Sequence, residues 1–201
     1  MSNKILTGVI VLLVVACGAV FVLSQHTPSS PSVNTSASLS SLNTGPAPWP
    51  AESAHLQNRL KAINIPLLGE EGTATHTHTH LDVYIHGQKT AVPAEIGILS
   101  NGISPVHTHD ASGVIHVESP DANASYTLGQ FFNIWGVRFT GSSIGGYMAD
   151  GTNMLDVYDN GVPVQDPTRL RLAAHHEIVI TFGTAQEQPQ IPAGYSFPEG
   201  L

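Results

Sequence analysis

Thiols and positive charge are what this chain of 201 residues has least of. Its one cysteine, Cys17, lies inside an apolar segment, which excludes an intrachain disulfide and a cysteine-type zinc finger. Seven Lys and Arg stand against fifteen Asp and Glu, a net charge of −8 with neutral histidine, and no basic cluster marks a nucleic-acid footprint. An acidic surface fits cation capture, and equally fits plain solubility. The full phosphate-binding loop and the dinucleotide fingerprint are missing, and Gly141-Ser142-Ser143-Ile144-Gly145, which has the Gly-x-Ser-x-Gly spacing, lies in a Gly/Ser-rich loop without the helix that a nucleophile elbow needs after it.

What is present begins with an apolar run. Residues 5–23 hold no charge over 19 positions, enough to span a bilayer as a helix. Lys4 precedes the run and no basic residue follows until Arg59, so the positive-inside rule places the remainder outside the cytoplasm. The expectation is a membrane anchor or signal over 1–23 giving a single-pass protein. Lipidation at Cys17, after Val14-Val15-Ala16, and a cleaved secretory signal stay open as alternatives. Residues 24–50, rich in Ser, Thr, Pro, Asn and Ala, read as a flexible linker. A domain over 51–183 and an irregular tail over 184–201 follow.

Inside that domain, residues 51–62 predict a short amphipathic helix with Leu56, Leu60 and Ile63 on one stripe, stopped by Pro66. Leu81, Val83 and Ile85 alternate with Asp82 and Tyr84 as a strand, and His86-Gly87 turns it back. The pattern LDVYIHGQKTAVP (81–93) recurs as LDVYDNGVPVQDP (155–167), where Asn160-Gly161 is a hairpin signal. Thr127 caps a second helix, LGQFFNIWG, which Gly136 ends. A short strand is expected over Val137-Arg138-Phe139, a loop over 141–152 and a last strand over 176–182. The fold class is α+β, a hairpin-rich single domain, β-grasp-like or a small sandwich.

Histidine supplies the chemistry. Seven of the eleven histidines lie between residues 76 and 116. In a strand, residues i and i+2 share a face about 6.6 Å apart. Imidazoles at that spacing can turn toward one ion at zinc–nitrogen distances of about 2.0–2.1 Å. In VHTHDASGVIHVE (106–118), a turn at Asp110-Ala111-Ser112-Gly113 sets His107 opposite His116. His107, His109, His116 and Glu118 then share one face, and Ile115 and Val117 take the other. In HTHTHLDVY (76–84), His76, His78 and His80 share a face with Asp82 and Tyr84. The expected ligands are His78, His80, His107, His109 and His116. His76, Asp82, Asp110 and Glu118 are expected to support them. Nitrogen-only ligation suits zinc, copper(II), nickel or iron, and zinc or copper is the expected ion. The lack of thiolate, with Met148 and Met154 the only methionines of the domain, disfavours a dedicated copper(I) site, and calcium and magnesium prefer oxygen. His86, His175 and His176 read as turn or structural residues.

HTHTHLDVYIHGQ, VPAEIGI, SPVHTHDASGVIHVESP, TLGQFFNIWGVRFT and HHEIVITFG together resemble a family of uncharacterised bacterial extracytoplasmic, membrane-anchored proteins, from Trp49 to about Gly183. The resemblance implies a shared fold and no catalytic assignment. Members often carry a cysteine pair around the Gly-Gly-Tyr loop, where Ser143 and Met148 stand here, so no thiol role carries over. Three functions are expected from the residues. One is a tethered metal-binding domain for metal handling or sensing. Another is a three-histidine metalloenzyme activating a water. The third is a metal-free module with pH-responsive histidines.

Overall fold

The structure is a computed structural model that describes residues 41–201. The anchor and most of the linker fall outside the described residues. Among the described residues no helix is long and apolar enough to cross a membrane.

Strand content dominates. Strand β1 (Thr75–Ile85) is the spine of a mixed seven-stranded sheet. β2 (Gln88–Thr90) and β6 (Val114–Ser119) pair with β1 antiparallel, and β12 (Glu177–Gly183) pairs with it in parallel. β5 (Val106–His107) lies outside β6, while β10 (Met154–Asp159) and β11 (Val162–Pro163) lie outside β12. Two smaller sheets join β3 (Ile98–Leu99) to β4 (Gly102–Ile103), and β7 (Phe139–Thr140), β8 (Ser143–Ile144) and β9 (Tyr147–Met148) to one another. The helices are short: α1 is Leu56–Ala62 and α2 is Leu128–Trp135. The domain is therefore mostly β, with less helix than an α+β reading implies.

Both predicted two-residue turns form. His86 and Gly87 have φ of 49° and 74°, and Asn160 and Gly161 have 49° and 80°. Positive φ at both central residues is what a hairpin turn matching strand twist demands. The α2 boundaries follow local rules as well. Thr127 and Gln130 form a reciprocal capping box, and Gly136 ends the helix in the left-handed region at φ 84°.

Elsewhere the chain departs from expectation. Helix α1 starts at Leu56, not at residue 51, because the residues before it are engaged otherwise. Pro50 O accepts from Trp135 Nε1, and the Glu52 carboxylate pairs with Arg59 and accepts from His55 N. The 141–152 segment contains two strands, and the strand expected over 137–139 begins only at Phe139. Val137 is buried and bridges Asn43. Ser143 and Met148 are direct cross-strand partners. Asn43 and Trp49 belong to the packed structure. Asn43 N donates to Gly136 O, and Trp49 sits edge-on to Trp135 and Tyr147.

The pleat then sorts the side chains. Leu81, Val83, Ile85, Val106, Ile115, Val117, Val157, Ile178, Ile180 and Phe182 join one apolar cluster with Leu56, Leu60, Phe131, Phe132 and Trp135 from the helices. Burial of that face is the main driving force for the fold. Arg59 is the charged exception within it. It donates to Asn133 O and Ile134 O, so it neutralises carbonyls at the C-terminal end of α2, whose last turn carries no basic residue. The alternate residues of β1, β6 and β5 emerge on the opposite face, and there the histidines meet.

Candidate metal centre

Three strands build the site. Register sets His116 on β6 between His78 on β1 and His107 on β5, and sets Glu118 opposite His76. β5 leaves the sheet after His107 because Thr108 is held elsewhere. Its N–H donates to Ile96 O, its carbonyl accepts from Glu95 N, and its hydroxyl donates to Pro93 O while accepting from Ile96 N. This clamp leaves the His107 and His109 rings on one side, 4.7 Å apart between centroids. His107 Nε2 lies 3.1 Å from His109 Nε2.

Two groups of donors result, each with ligand atoms within 4.8 Å of one another. One is His76, His78, His116 and Glu118, and the other is His107, His109, His116 and Glu118. His107 and His78 form the buried floor. His76 and His109 form the rim, with side chains 53% and 43% exposed, so solvent reaches the cluster.

The protonation pattern suits a metal. Burial, opposed in part by the Ser104 carbonyl, lowers His107 to about 3. Burial and the neighbouring rings lower His78 to about 4 and His116 to about 4. These rings are neutral at pH 7, with lone pairs available for coordination. Ser104 O only accepts, so it takes the Nδ1–H of His107 at 2.9 Å and leaves the lone pair on Nε2, facing His109. His78 Nε2 is buried without any hydrogen-bond partner. An orphaned buried nitrogen costs roughly 1–3 kcal/mol, and a bound ion removes that cost. Burial, and then the charge of Glu71, raises the Glu118 carboxyl. Glu118 Oε1 is 3.1 Å from His116 Nδ1 and 3.2 Å from His76 Nε2.

His80 is drawn away from this cluster. Its Nδ1 lies 2.5 Å from Glu177 Oε2 and its Nε2 lies 3.0 Å from Ser112 O, while Tyr195 stacks on the ring at 3.6 Å. His80, Asp82 and Glu177 make a third, fully buried donor group. Lys89 Nζ sits 2.6 Å from Asp82 there, and Tyr84 donates to the same carboxylate. Asp110 faces the turn, where the Ser112 hydroxyl, and then the Ser112 N–H that donates to it, lower its pKa. His86 contacts Glu187, and His176 pairs with Asp159 at 2.7 Å.

Sequence reasoning missed Glu71, whose Oε1 lies 3.4 Å from His109 Nε2, and Glu177. A charged residue opening the otherwise apolar strand EIVITF was the available signal for Glu177. Glu71 sits in a Gly-Glu-Glu-Gly loop with no periodicity to read. The chain matches no protein-family model, no curated protein and no solved structure.

Proposed function

We propose that this domain binds a transition metal, zinc or copper(II), for metal handling or sensing on the outer side of a membrane. The observation that carries the reading is the His107–His109 pair. Its two Nε2 atoms lie 3.1 Å apart, one with its lone pair fixed outward by Ser104. Two nitrogens on a tetrahedral zinc, at about 2.05 Å each, stand about 3.4 Å apart. His116 is the third nitrogen, and Glu118 either ligates or orients. The uncharged run 5–23 with Lys4 before it supports the tether, and the resemblance to membrane-anchored extracytoplasmic proteins points the same way. The sheet, with β1 parallel to β12 and a hairpin on either side, fits a β-grasp-like arrangement.

Half-exposed rim histidines favour exchange of the ion with solvent or a partner over turnover in a closed pocket. A second reading draws on Glu118. A buried carboxyl with a raised pKa beside three imidazoles is suited to act as base toward a metal-bound water. Elemental analysis of the untagged chain loaded with zinc or copper(II) tests the main reading. Retained metal that disappears in a folded His107→Ala/His109→Ala/His116→Ala variant supports it. Equal metal in both proteins, or none in either, refutes it. Hydrolysis or hydration by the zinc form, abolished in Glu118→Gln, would favour the second reading.

A further inference from the structure

We infer that the histidine face holds two metal ions bridged by the Glu118 carboxylate; this rests on the metal-binding reading and deepens it. The layout is nearly symmetric about β6. One His-x-His pair, His76 and His78, flanks that strand from β1, and another, His107 and His109, flanks it from β5 and the chain just beyond. His116 and Glu118 project from β6 between them, and both belong to each of the two donor groups.

The carboxylate is shared oxygen by oxygen. Glu118 Oε1 lies 3.2 Å from His76 Nε2, and Glu118 Oε2 lies 4.0 Å from His107 Nε2. Each oxygen therefore turns toward a different histidine pair, the disposition of a carboxylate that bridges two ions about 3.5–4 Å apart. A single tetrahedral ion takes four donors, fewer than this face offers, and the two pairs fall in separate donor groups that share only His116 and Glu118. The five imidazoles and two carboxylate oxygens fall one donor short of two such shells. His116 completes one ion, and the open position is left for water or an incoming ligand. The His78 Nε2, buried and without a partner, belongs to the pair farther from His109, so one ion at His107–His109 leaves it orphaned. Glu71 Oε1, 3.4 Å from His109 Nε2, adds a carboxylate at the rim of that pair.

Zinc titration of the untagged full-length chain in mild detergent, followed by desalting and elemental analysis, counts the ions. The expected result is two equivalents per chain. Copper(II) loading is expected to give a spin-coupled pair by electron paramagnetic resonance, with a half-field transition. His76→Ala, a change at an exposed ring, is expected to release one equivalent and convert the spectrum to that of an isolated copper(II), with circular dichroism unchanged. His76→Ala/His78→Ala should behave likewise. One equivalent in the unmodified chain overturns the pair and leaves the single-ion reading standing. No retained metal overturns both. Two uncoupled ions, with one lost in His80→Ala and none in His76→Ala, overturns the pair by placing the second ion at His80, Asp82 and Glu177.

Discussion

Acidifying the metal-free protein should destabilise it before the carboxylates begin to titrate. His78, His107 and His116 sit in the folded chain at about 4, 3 and 4, against 6.5 for an ordinary histidine. Each is neutral when folded and takes a proton when unfolded. Their contribution is therefore complete above pH 6.5, and stability falls as the pH drops from there toward the folded values, where the loss levels off. At pH 5 each ring is about 1.5 units below the unfolded value, which costs about 2 kcal/mol. Three rings together put the loss at several kcal/mol, with burial the largest cause at each. The raised Glu118 carboxyl works the other way, adding stability as the pH falls. A domain of this kind has roughly 5–15 kcal/mol in total, so the loss is a large fraction. Urea unfolding of the chelator-treated protein at pH 7, 6 and 5 reads it. The midpoint should fall progressively, and a His78→Asn/His116→Asn variant should show a shallower slope. A midpoint that stays flat between pH 7 and 5 would refute the claim that these rings are held neutral.

Three substitutions extend the account. Arg59→Leu removes the cation paired with Glu52 and leaves two α2 carbonyls without their Arg59 donor, and should lower stability by about 3 kcal/mol in denaturant titration while leaving metal content unchanged. Gly113→Ala forces φ of 93° on a residue with a side chain and places the new carbon 2.6 Å from Leu81 O and 3.0 Å from His80 Nε2. Thermal unfolding should show a loss of at least about 1–3 kcal/mol. Thr108→Val keeps the shape but removes the bonds to Pro93 O and Ile96 N, so it should weaken zinc binding about 10–100-fold in a competition titration, with the fold retained.

Local chemistry made part of this legible. Pairing of His107 with His116 follows from a four-residue turn and a period of two, and both hairpins follow from residues that accept positive φ. The Thr127 cap is a rule of four consecutive residues. Long-range pairing was not legible. Nothing near His80 in sequence announces that β12 will lie parallel beside β1 and deliver Glu177, 97 residues away, to its Nδ1. That encounter separates His80 from the other imidazoles. Arg59 was equally opaque, because a charged residue on an amphipathic helix reads as solvent-facing until the α2 carbonyls it neutralises are in place. The strands within 139–148 are two residues each, too short for any alternation to show.

The most direct test of the central claim is zinc K-edge X-ray absorption of the loaded, untagged protein. The account predicts a first shell of nitrogen and oxygen at about 2.0–2.1 Å with imidazole scattering from at least two rings per zinc, and no sulfur at about 2.3 Å. A shell of water oxygens alone, with no imidazole scattering, would contradict it.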